Sequence, residues 1–296
     1  MGAPASVPPC PFCEGHETDT PPEVYADRPV GSRPDVPGWR VRVFANLFPA
    51  LDADAGPGGK KHGQPDLSRP AAGVHEVLVH SPDHTKTLTD LTPGGLTRVL
   101  TAVQARTSAH LAAGWGSVLT VVNQGRRAGA SLQHPHAQIF ATPEVPPLVA
   151  SEVSASKTAC AVCDLVARER RARTRLVAGD DRVAVICPFA SHVPFEQLVV
   201  PIRHQPAFQE APEAVLRSAA AMIQEALGRL AAAAGAPDYN LVLHTSPRSA
   251  VGHFHWHLHV YPRLTVWGGF ELGAGTIINT LAPEDAAERL RGVVPS

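Results

Sequence analysis

The sequence predicts an α+β protein made of two tandem units, each an antiparallel sheet with a long helix, that form one pseudo-symmetric body. The prediction comes from landmarks that occur in the same order in both halves of the 296-residue chain: a Cys-x-x-Cys pair, a strand that ends at a histidine, and a His-x-His strand. The strand-end histidine precedes the His-x-His strand by 50 residues in the first half (84 to 134) and by 51 in the second (204 to 255). We therefore divide the chain into an N-terminal unit, residues 1–150, and a C-terminal unit, residues 151–296.

The elements of the N-terminal unit are predicted from apolar spacing and from helix start signals. An apolar strand begins at Glu76 and runs into His84. A helix then starts at Pro93 and ends near Ala113, because proline is favoured at the first position of a helix. A second strand, at 118–123, leads through a glycine-containing turn into the first His-x-His strand.

The C-terminal unit repeats this order. An apolar strand runs from Glu196 into His204, and a helix opened by Pro212 stops at Gly235. A strand at 240–244 then leads through a turn into the second His-x-His strand. Agreement at several landmarks in one order indicates an internal duplication.

Two segments do not fit either copy of the repeat and are predicted as flexible loop or linker. Residues 52–72 are a Pro/Gly-rich insertion, and residues 143–157 join the two units. The insertion explains the one large mismatch between the halves: the interval from the Cys-x-x-Cys pair to the strand-end histidine is 71 residues (13 to 84) in the first half and 41 (163 to 204) in the second.

The overall charge and the cysteine usage limit the class of protein. A formal net charge of −1 gives no electrostatic reason to expect a nucleic-acid polymer or an anionic membrane as a partner. No apolar run approaches the roughly 20 residues that cross a bilayer, and the N-terminus has no signal-peptide pattern. Four of the five cysteines form two C-x-x-C pairs, which fits metal binding in a reducing compartment. A cytoplasmic location is the expectation, with Cys187 as a small buried hydrophobe.

Each half offers two thiols and two imidazoles, the donor set of a tetrahedral zinc site. Such a four-ligand site is closed to water, so the zinc would tie each cysteine segment to the strands beside it. In the second half His253, His257 and His259 compete with His255 for the fourth position, and alignment with His134 favours His255. The alternative is two reduced cysteine pairs beside ordinary core histidines. The predicted ligands are Cys10, Cys13, His84 and His134 for the first zinc, and Cys160, Cys163, His204 and His255 for the second.

The first His-x-His strand carries the candidate nucleophile. Alternate residues of a strand share a face, so His134, His136 and Gln138 point the same way. A neutral imidazole whose other nitrogen is held by a carbonyl is a good nucleophile toward phosphorus, and Gln138 could bond a phosphate oxygen without supplying a proton. The preceding turn, residues 123–131, offers backbone N–H groups and the Ser131 hydroxyl as a phosphate cradle.

The second His-x-His strand allows two interpretations. Its sequence, HWHLH from His255 to His259, continues the histidine pattern for a third step, where the first half has glutamine. In the favoured interpretation His255 binds metal while His257 and His259 pack or assist. The alternative places an active nucleophile at His257, although the turn before it is poorer in glycine.

Six stretches of the chain resemble a known family. In order, from about residue 10 to 292, they are CPFC, TPPEVYA, RVFANLFPAL, HSPDHTKTLTDL, NQGRRAGASLQHPHAQIFATP and GGFELGAGTIINTLAPEDAAERLR. The chain resembles the galactose-1-phosphate uridylyltransferase family, a branch of the histidine triad superfamily that is built from two tandem copies of one unit. The resemblance covers the whole chain and implies that family's fold.

The resemblance also implies a role for individual residues. The motif His-Pro-His-x-Gln assigns a zinc ligand to His134, the covalent nucleophile to His136 and phosphate binding to Gln138. The other implied roles are the remaining ligands of the first zinc (Cys10, Cys13, His84), contacts to the phosphates (Asn123, Gly129, Ser131), a nucleoside contact (Asn46) and a hexose contact that crosses a homodimer interface (Phe270, Glu271).

The implied reaction is a ping-pong transfer of a nucleoside monophosphate between a nucleoside diphosphate hexose and a hexose 1-phosphate, with UDP-glucose and galactose 1-phosphate as the expected pair. The second Cys-x-x-Cys is more similar to the ADP-glucose phosphorylases, so adenylyl transfer to phosphate or sulfate is the first alternative. The second alternative is a zinc-stabilised nucleotide-binding protein without catalysis. Glutamine at position 138 favours transfer over hydrolysis, because histidine triad hydrolases carry a third histidine there.

Overall fold

The structure is a computed structural model that describes residues 10–56, 71–250 and 252–294. Ten strands form one antiparallel sheet in these residues, and six α-helices accompany it. The strands are β1 (Glu23–Asp27), β2 (Val41–Ala45), β3 (Val74–Val79), β4 (Ser117–Gln124), β5 (His136–Thr142), β6 (Leu176–Gly179), β7 (Val183–Ile186), β8 (Gln197–Pro201), β9 (Tyr239–His244) and β10 (His257–Pro262). The helices are α1 (Pro93–Ala112), α2 (Pro147–Ala155), α3 (Ala161–Ala172), α4 (Glu213–Ala234), α5 (Gly269–Ala274) and α6 (Pro283–Arg291).

The order of the strands shows how the two halves of the chain meet. The sheet runs β1-β2-β3-β5-β4-β9-β10-β8-β7-β6, so the first five positions come from the first half and the last five from the second. Strands β4 and β9 pair antiparallel at the centre, where Asn123 lies opposite Asn240. The predicted α+β class with an antiparallel sheet and a long helix in each half is confirmed.

Helices α1 and α4 cover one face of the sheet and bury the main core. Apolar side chains of both helices, such as Leu96 and Ile223, pack on every second residue of the strands. On β5 these are Ala137 and Ile139, which are almost fully buried. Because side chains alternate along a strand, His136 and its neighbours at 138 and 140 point to the opposite face.

Two glutamines tie the helix of each half to the other half in a reciprocal way. Gln104 lies eleven residues into α1 (93 to 104) and Gln224 lies eleven residues into α4 (213 to 224). The Gln104 amide donates to the carbonyls of Phe208 and Ala211, at 3.3 and 2.9 Å. Gln224 donates to the carbonyls of two leucines ahead of α1, at 3.0 and 2.6 Å. This pseudo-twofold pair of contacts supports the predicted duplication.

Of the two segments predicted as flexible loop or linker, one is structured. Residues 143–157 contain α2, because Pro147 occupies the first helical position, where proline favours the start of a helix. Most of the insertion at 52–72 lies outside the described residues, but its ends meet where Asp52 bridges to Ala72. Cys187 is fully buried in the main core, as predicted, and burial raises the pKa of its thiol to about 12. Within the described ranges no helix has the length and apolar character needed to cross a bilayer.

We expect Gln224→Leu to lower the free energy of unfolding by about 1–3 kcal/mol, because the carbonyls of Leu88 and Leu91 would lose their shared donor in a half-buried place. Chemical denaturation followed by circular dichroism measures this change. Thr101→Ala, on the exposed surface of α1, is the control and should stay within about 0.5 kcal/mol. Equal stability of the two variants would contradict a bridging role for the glutamine.

Candidate active site and metal centres

The four predicted ligands of the first metal site come together on the face of the sheet opposite α1 and α4. Their donor atoms all lie within 4.8 Å of one another. The Cys13 thiol lies 3.4 Å from Nδ1 of His84 and 3.7 Å from Nδ1 of His134, and the Cys10 thiol lies 3.7 Å from the same His134 atom. A tetrahedral zinc with bonds of about 2.3 Å to sulfur and about 2.0–2.1 Å to nitrogen would set these atoms about 3.5 Å apart. The donor set and its spacing therefore fit zinc.

The outer nitrogen of His134 is fixed by the backbone. Its Nε2 donates to the carbonyl of Ser81 at 2.8 Å, and the residue is fully buried. A proton on Nε2 leaves the Nδ1 lone pair for a metal, so this contact selects the tautomer that a ligand needs. The Ser81 carbonyl thus orients His134 with Nδ1 toward the other three donor atoms.

The second predicted site has the same geometry. The thiol of Cys163 lies 3.5 Å from Nδ1 of His204 and 3.4 Å from Nδ1 of His255, and the Cys160 thiol lies 3.5 Å from that His255 atom. Burial and the neighbouring Cys160 raise the pKa of Cys163 to about 12, so its thiolate requires a nearby cation at neutral pH. Among the competing histidines of this half, the structure places His255 in the cluster.

A third group of possible ligands was not predicted. Glu152, on α2, lies with His244, His257 and His259 within the same 4.8 Å limit. The His257 Nδ1 donates to the carbonyl of His255 at 2.8 Å, and its Nε2 lies 3.6 Å from a Glu152 oxygen. A proton or a metal ion between that nitrogen and the carboxylate would stabilise the contact. The cluster could therefore hold a metal, and the negative charge of Glu152 beside Nε2 disfavours the approach of a phosphate to His257.

His136, in the corresponding place of the first half, is 7% exposed, and its Nε2 has no hydrogen-bond partner among the described residues. Its Nδ1 donates to the carbonyl of His134 at 2.9 Å, so the lone pair is on Nε2. Burial lowers the pKa of His136, against the opposite effect of that hydrogen bond, and the ring is neutral at pH 7. The ring of Phe12, between the two cysteines of the first site, packs edge-on against it at 5.3 Å. The metal segment thus helps to fix the orientation of the candidate nucleophile.

Gln138 lies two residues along β5 and bonds to a residue that was not predicted. Its Oε1 is 2.8 Å from Nε2 of His75, on the neighbouring strand β3. Asn46, the expected nucleoside contact, is in the same polar group, with its amide nitrogen 3.1 Å from that His75 atom. The structure therefore brings Asn46 and Gln138 together through His75.

The predicted phosphate cradle is a turn that the second half of the chain holds in place. Gly125 has a φ of 87°, and a Cβ there would lie 2.0 Å from a carboxylate oxygen of Asp238. That carboxylate accepts the backbone N–H of Arg127 at 2.7 Å. Asn240 donates to the side-chain oxygen of Asn123 and to a carbonyl of the turn, both at 2.8 Å.

A hollow of about 630 Å³ opens beside this turn. Ser131 is exposed at its wall, and the lining reaches His134 and Pro135 but does not include His136. Its size suits a nucleoside diphosphate sugar in part or whole. Its lining residues are Asn123, Gln124, Gly125, Arg126, Ala130, Ser131, Leu132, Gln133, His134 and Pro135.

The two residues expected to contact a hexose lie apart from this site. Phe270 and Glu271 are on the short helix α5, where Phe270 is 58% exposed and a Glu271 oxygen accepts the N–H of Gly268. No contact within the described part of the chain joins them to the phosphate turn. Their role across a homodimer interface stays a prediction.

The chain is similar to known proteins over most of its length. Residues 35–146 match the family model for the N-terminal domain of galactose-1-phosphate uridyl transferase. The chain is 32% identical to an ADP-glucose phosphorylase of Arabidopsis thaliana over 96% of its own length and 82% of that protein's. It is 30% identical to a galactose-1-phosphate uridylyltransferase of Haemophilus influenzae, over 85% and 76% of the two lengths.

A solved structure of an ADP-glucose phosphorylase from Arabidopsis thaliana, with bound ADP-glucose, superposes with a TM-score of 0.83. The two chains are 29% identical, and the superposition covers 99% of this chain and 92% of the other. The similarity therefore extends over both halves of the chain.

We expect the purified protein to hold two zinc ions per chain. The Cys13→Ser and Cys163→Ser variants should each hold one ion, because each substitution breaks one four-ligand set. Both variants should also have a lower melting temperature than the unsubstituted protein. Inductively coupled plasma mass spectrometry of dialysed protein measures the content. Cys187→Ala lies outside both clusters and should keep two ions. A Cys13→Ser protein with unchanged zinc would exclude Cys13 as a ligand, and a third equivalent that Glu152→Gln removes would assign metal to the third cluster.

Proposed function

Because the chain belongs to the galactose-1-phosphate uridylyltransferase family, whose members are nucleotidyltransferases, we propose that it transfers a nucleoside monophosphate by way of a covalent adduct on His136. The observation that carries the proposal is the hydrogen bond from His136 Nδ1 to the His134 carbonyl, which leaves Nε2 as the nucleophilic atom. The substrates are a nucleoside diphosphate sugar and a phosphate-bearing acceptor.

In the first step the lone pair of His136 Nε2 attacks the α-phosphorus of the nucleoside diphosphate sugar. A bond from nitrogen to phosphorus forms, the bond from phosphorus to the bridging oxygen breaks, and the sugar 1-phosphate leaves with the electron pair. In the second step an oxygen of the acceptor phosphate attacks the same phosphorus and releases neutral His136. Each step uses the same ring nitrogen, so no separate base is required.

The groups around His136 stabilise negative charge on the transferred phosphoryl group. The Gln138 amide can donate to a non-bridging oxygen without giving up a proton that would assist hydrolysis. The phosphate turn adds the exposed Ser131 hydroxyl and the side chain of Asn123. The backbone N–H groups of residues 127–130 are already bonded, to Asp238 or to carbonyls of the turn. The first zinc, when bound, would neutralise its two thiolates and hold the cysteine segment, with Phe12, against the nucleophile.

We favour ADP-glucose as the donor and inorganic phosphate as the acceptor. Two observations support this choice over the UDP-glucose and galactose 1-phosphate pair expected from the sequence. The similarity to an ADP-glucose phosphorylase covers 96% of the chain, and a second Cys₂His₂ cluster is assembled. Uridylyl transfer remains the second candidate, since uridylyltransferases match at nearly the same identity.

We also propose a homodimer in which the segment around α5 contributes to the sugar site. Four apolar side chains of this segment are exposed, at 83% for Val266, 46% for Trp267, 58% for Phe270 and 73% for Leu272. Exposed apolar side chains close together are typical of interfaces. Analytical ultracentrifugation of the whole protein tests the assembly.

We expect a mass gain of one nucleotidyl group when the protein is mixed with ADP-glucose, because Nε2 of His136 carries the lone pair of a neutral ring and is not hydrogen-bonded to another described residue. Intact-mass spectrometry after rapid quenching at alkaline pH detects the adduct, which acid would hydrolyse. Parallel incubation with UDP-glucose identifies the base from the mass difference. His136→Gly is the control and should gain no mass with either donor.

Two results would separate the alternatives. An adduct that persists in His136→Gly would move the chemistry to another residue, such as His257. Tight nucleotide binding with no adduct from either donor would favour a binding protein without catalysis.

We expect Asn240→Asp to raise the half-saturating concentration of the donor by about 10-fold, because a carboxylate cannot donate to the oxygens of Asn123 and Ala128 and would repel them. The concentration dependence of adduct formation measures it. Thr120→Val is the matched control: Thr120 is on the same strand β4 but faces the helices, and its hydroxyl makes no hydrogen bond to any described residue. Equal values for both variants would show that Asn240 does not support the phosphate turn.

A further inference from the structure

His75 is a buried histidine with defined partners on both ring nitrogens. It lies on β3 beside β5, is 7% exposed, and its ring stacks on Phe140 with 4.2 Å between the ring centroids. Nδ1 is 3.1 Å from the backbone nitrogen of Ala50, and Nε2 is 2.8 Å from Oε1 of Gln138. The ring therefore connects the segment that follows β2 with the glutamine next to the nucleophile.

The partners of His75 determine which of its nitrogens carries the proton. The backbone N–H of Ala50 can only donate, so Nδ1 must accept and cannot be protonated. Burial lowers the pKa of His75, so the ring is neutral and its single proton is on Nε2. Nε2 then donates, and the atom of Gln138 that faces it must be the amide oxygen.

These two hydrogen bonds, from Ala50 to His75 and from His75 to Gln138, fix the orientation of the Gln138 amide. With its oxygen held by His75, its NH₂ group is directed away from the ring and makes no hydrogen bond within the described residues. A side-chain amide can otherwise rotate by 180° and present either group. For stabilising a phosphoryl oxygen only the NH₂ group is useful, because the amide oxygen would repel the negative charge.

Asn46 lies on the other side of the ring. Its side-chain oxygen accepts the backbone N–H of Phe48, at 3.0 Å. Its amide nitrogen lies against His75, 3.1 Å from Nε2 and 3.4 Å from Nδ1. The shorter distance is to the nitrogen that donates to Gln138, so this contact does not select the tautomer. The backbone N–H of Ala50 selects it, because that group can only donate to Nδ1.

We infer that His75 is a positioning residue, which holds the Gln138 amide with its NH₂ group toward the transferred phosphoryl group. The inference rests on the proposed function, because it assumes that phosphoryl transfer takes place at His136. In that reaction His75 would affect the rate indirectly, through Gln138. His75 itself does not touch the reacting atoms.

The test is a double-mutant cycle on the rate of adduct formation in single-turnover experiments with ADP-glucose and with UDP-glucose. We expect His75→Phe, which keeps a flat ring on Phe140 but cannot donate, to slow the reaction about 10- to 100-fold, as for loss of one oriented donor. In a Gln138→Ala background the same substitution should change the rate less than about 2-fold, because the amide on which it acts is gone. The dissociation constant of the donor should change much less than the rate.

A rescue variant and a packing control complete the cycle. His75→Gln provides an amide donor in the same region and should recover most of the rate. Phe140→Leu removes the stacked ring but leaves both hydrogen bonds, and it should stay within about 3-fold of the unsubstituted protein. Circular dichroism of each variant verifies that it is folded.

The outcomes decide the inference in both directions. A loss of rate that is equal in the presence and absence of the Gln138 side chain would overturn it, and so would an unchanged rate in folded His75→Phe. If the unsubstituted protein forms no adduct, the proposed function fails, and two-bond ¹H–¹⁵N correlation spectra of the imidazole still decide the geometry. A proton on Nδ1 of His75 would overturn the inference, and a proton on Nε2 would support it.

Discussion

The chemistry proposed for this site depends on one backbone hydrogen bond, from Nδ1 of His136 to the carbonyl of His134. The bond places the single proton of a neutral imidazole on one nitrogen and the lone pair on the other. His134 is itself held at the end of the strand by the Ser81 carbonyl, and it lies among three further zinc-type ligands. In the proposed reaction a metal bound by this cluster would therefore act through the backbone, at a distance from the phosphorus atom.

The two copies of the repeat contain the same histidine-to-backbone hydrogen bond, but the surroundings of the histidine differ. His257 makes an equivalent bond to the carbonyl of His255, at 2.8 Å, but its Nε2 faces Glu152. One step further along the strand, the first copy has Gln138 held by a histidine, whereas the second has His259 held by the buried carboxylate of Glu196 at 3.2 Å. The groups beside His136 are neutral and suit an anion, whereas carboxylates lie beside His257 and His259 and would repel one.

The features that follow from local spacing could be predicted from the sequence. Helix α1 and strands β4 and β9 lie within one or two residues of their predicted bounds, and each cysteine pair meets the histidines assigned to it. Helix α2 was missed because three prolines between 143 and 147 suggested a linker, although the last of them starts the helix. His75, Asp238 and Asn240 were missed for another reason. Their partners are set by strand register, which no spacing within one strand reveals.

The same register gives a physical reason for keeping both units in one chain. Strand β9 places Asn240 opposite Asn123 and sets Asp238 under the turn at Gly125, so the phosphate turn of the first unit is closed by side chains of the second. Separated from β9, strand β4 would become an edge strand with unpaired backbone groups, and the turn would lose the hydrogen bonds that Asp238 and Asn240 make to it. The second unit therefore has a structural role that requires no nucleophile of its own, because its side chains hold the phosphate turn of the first unit in shape.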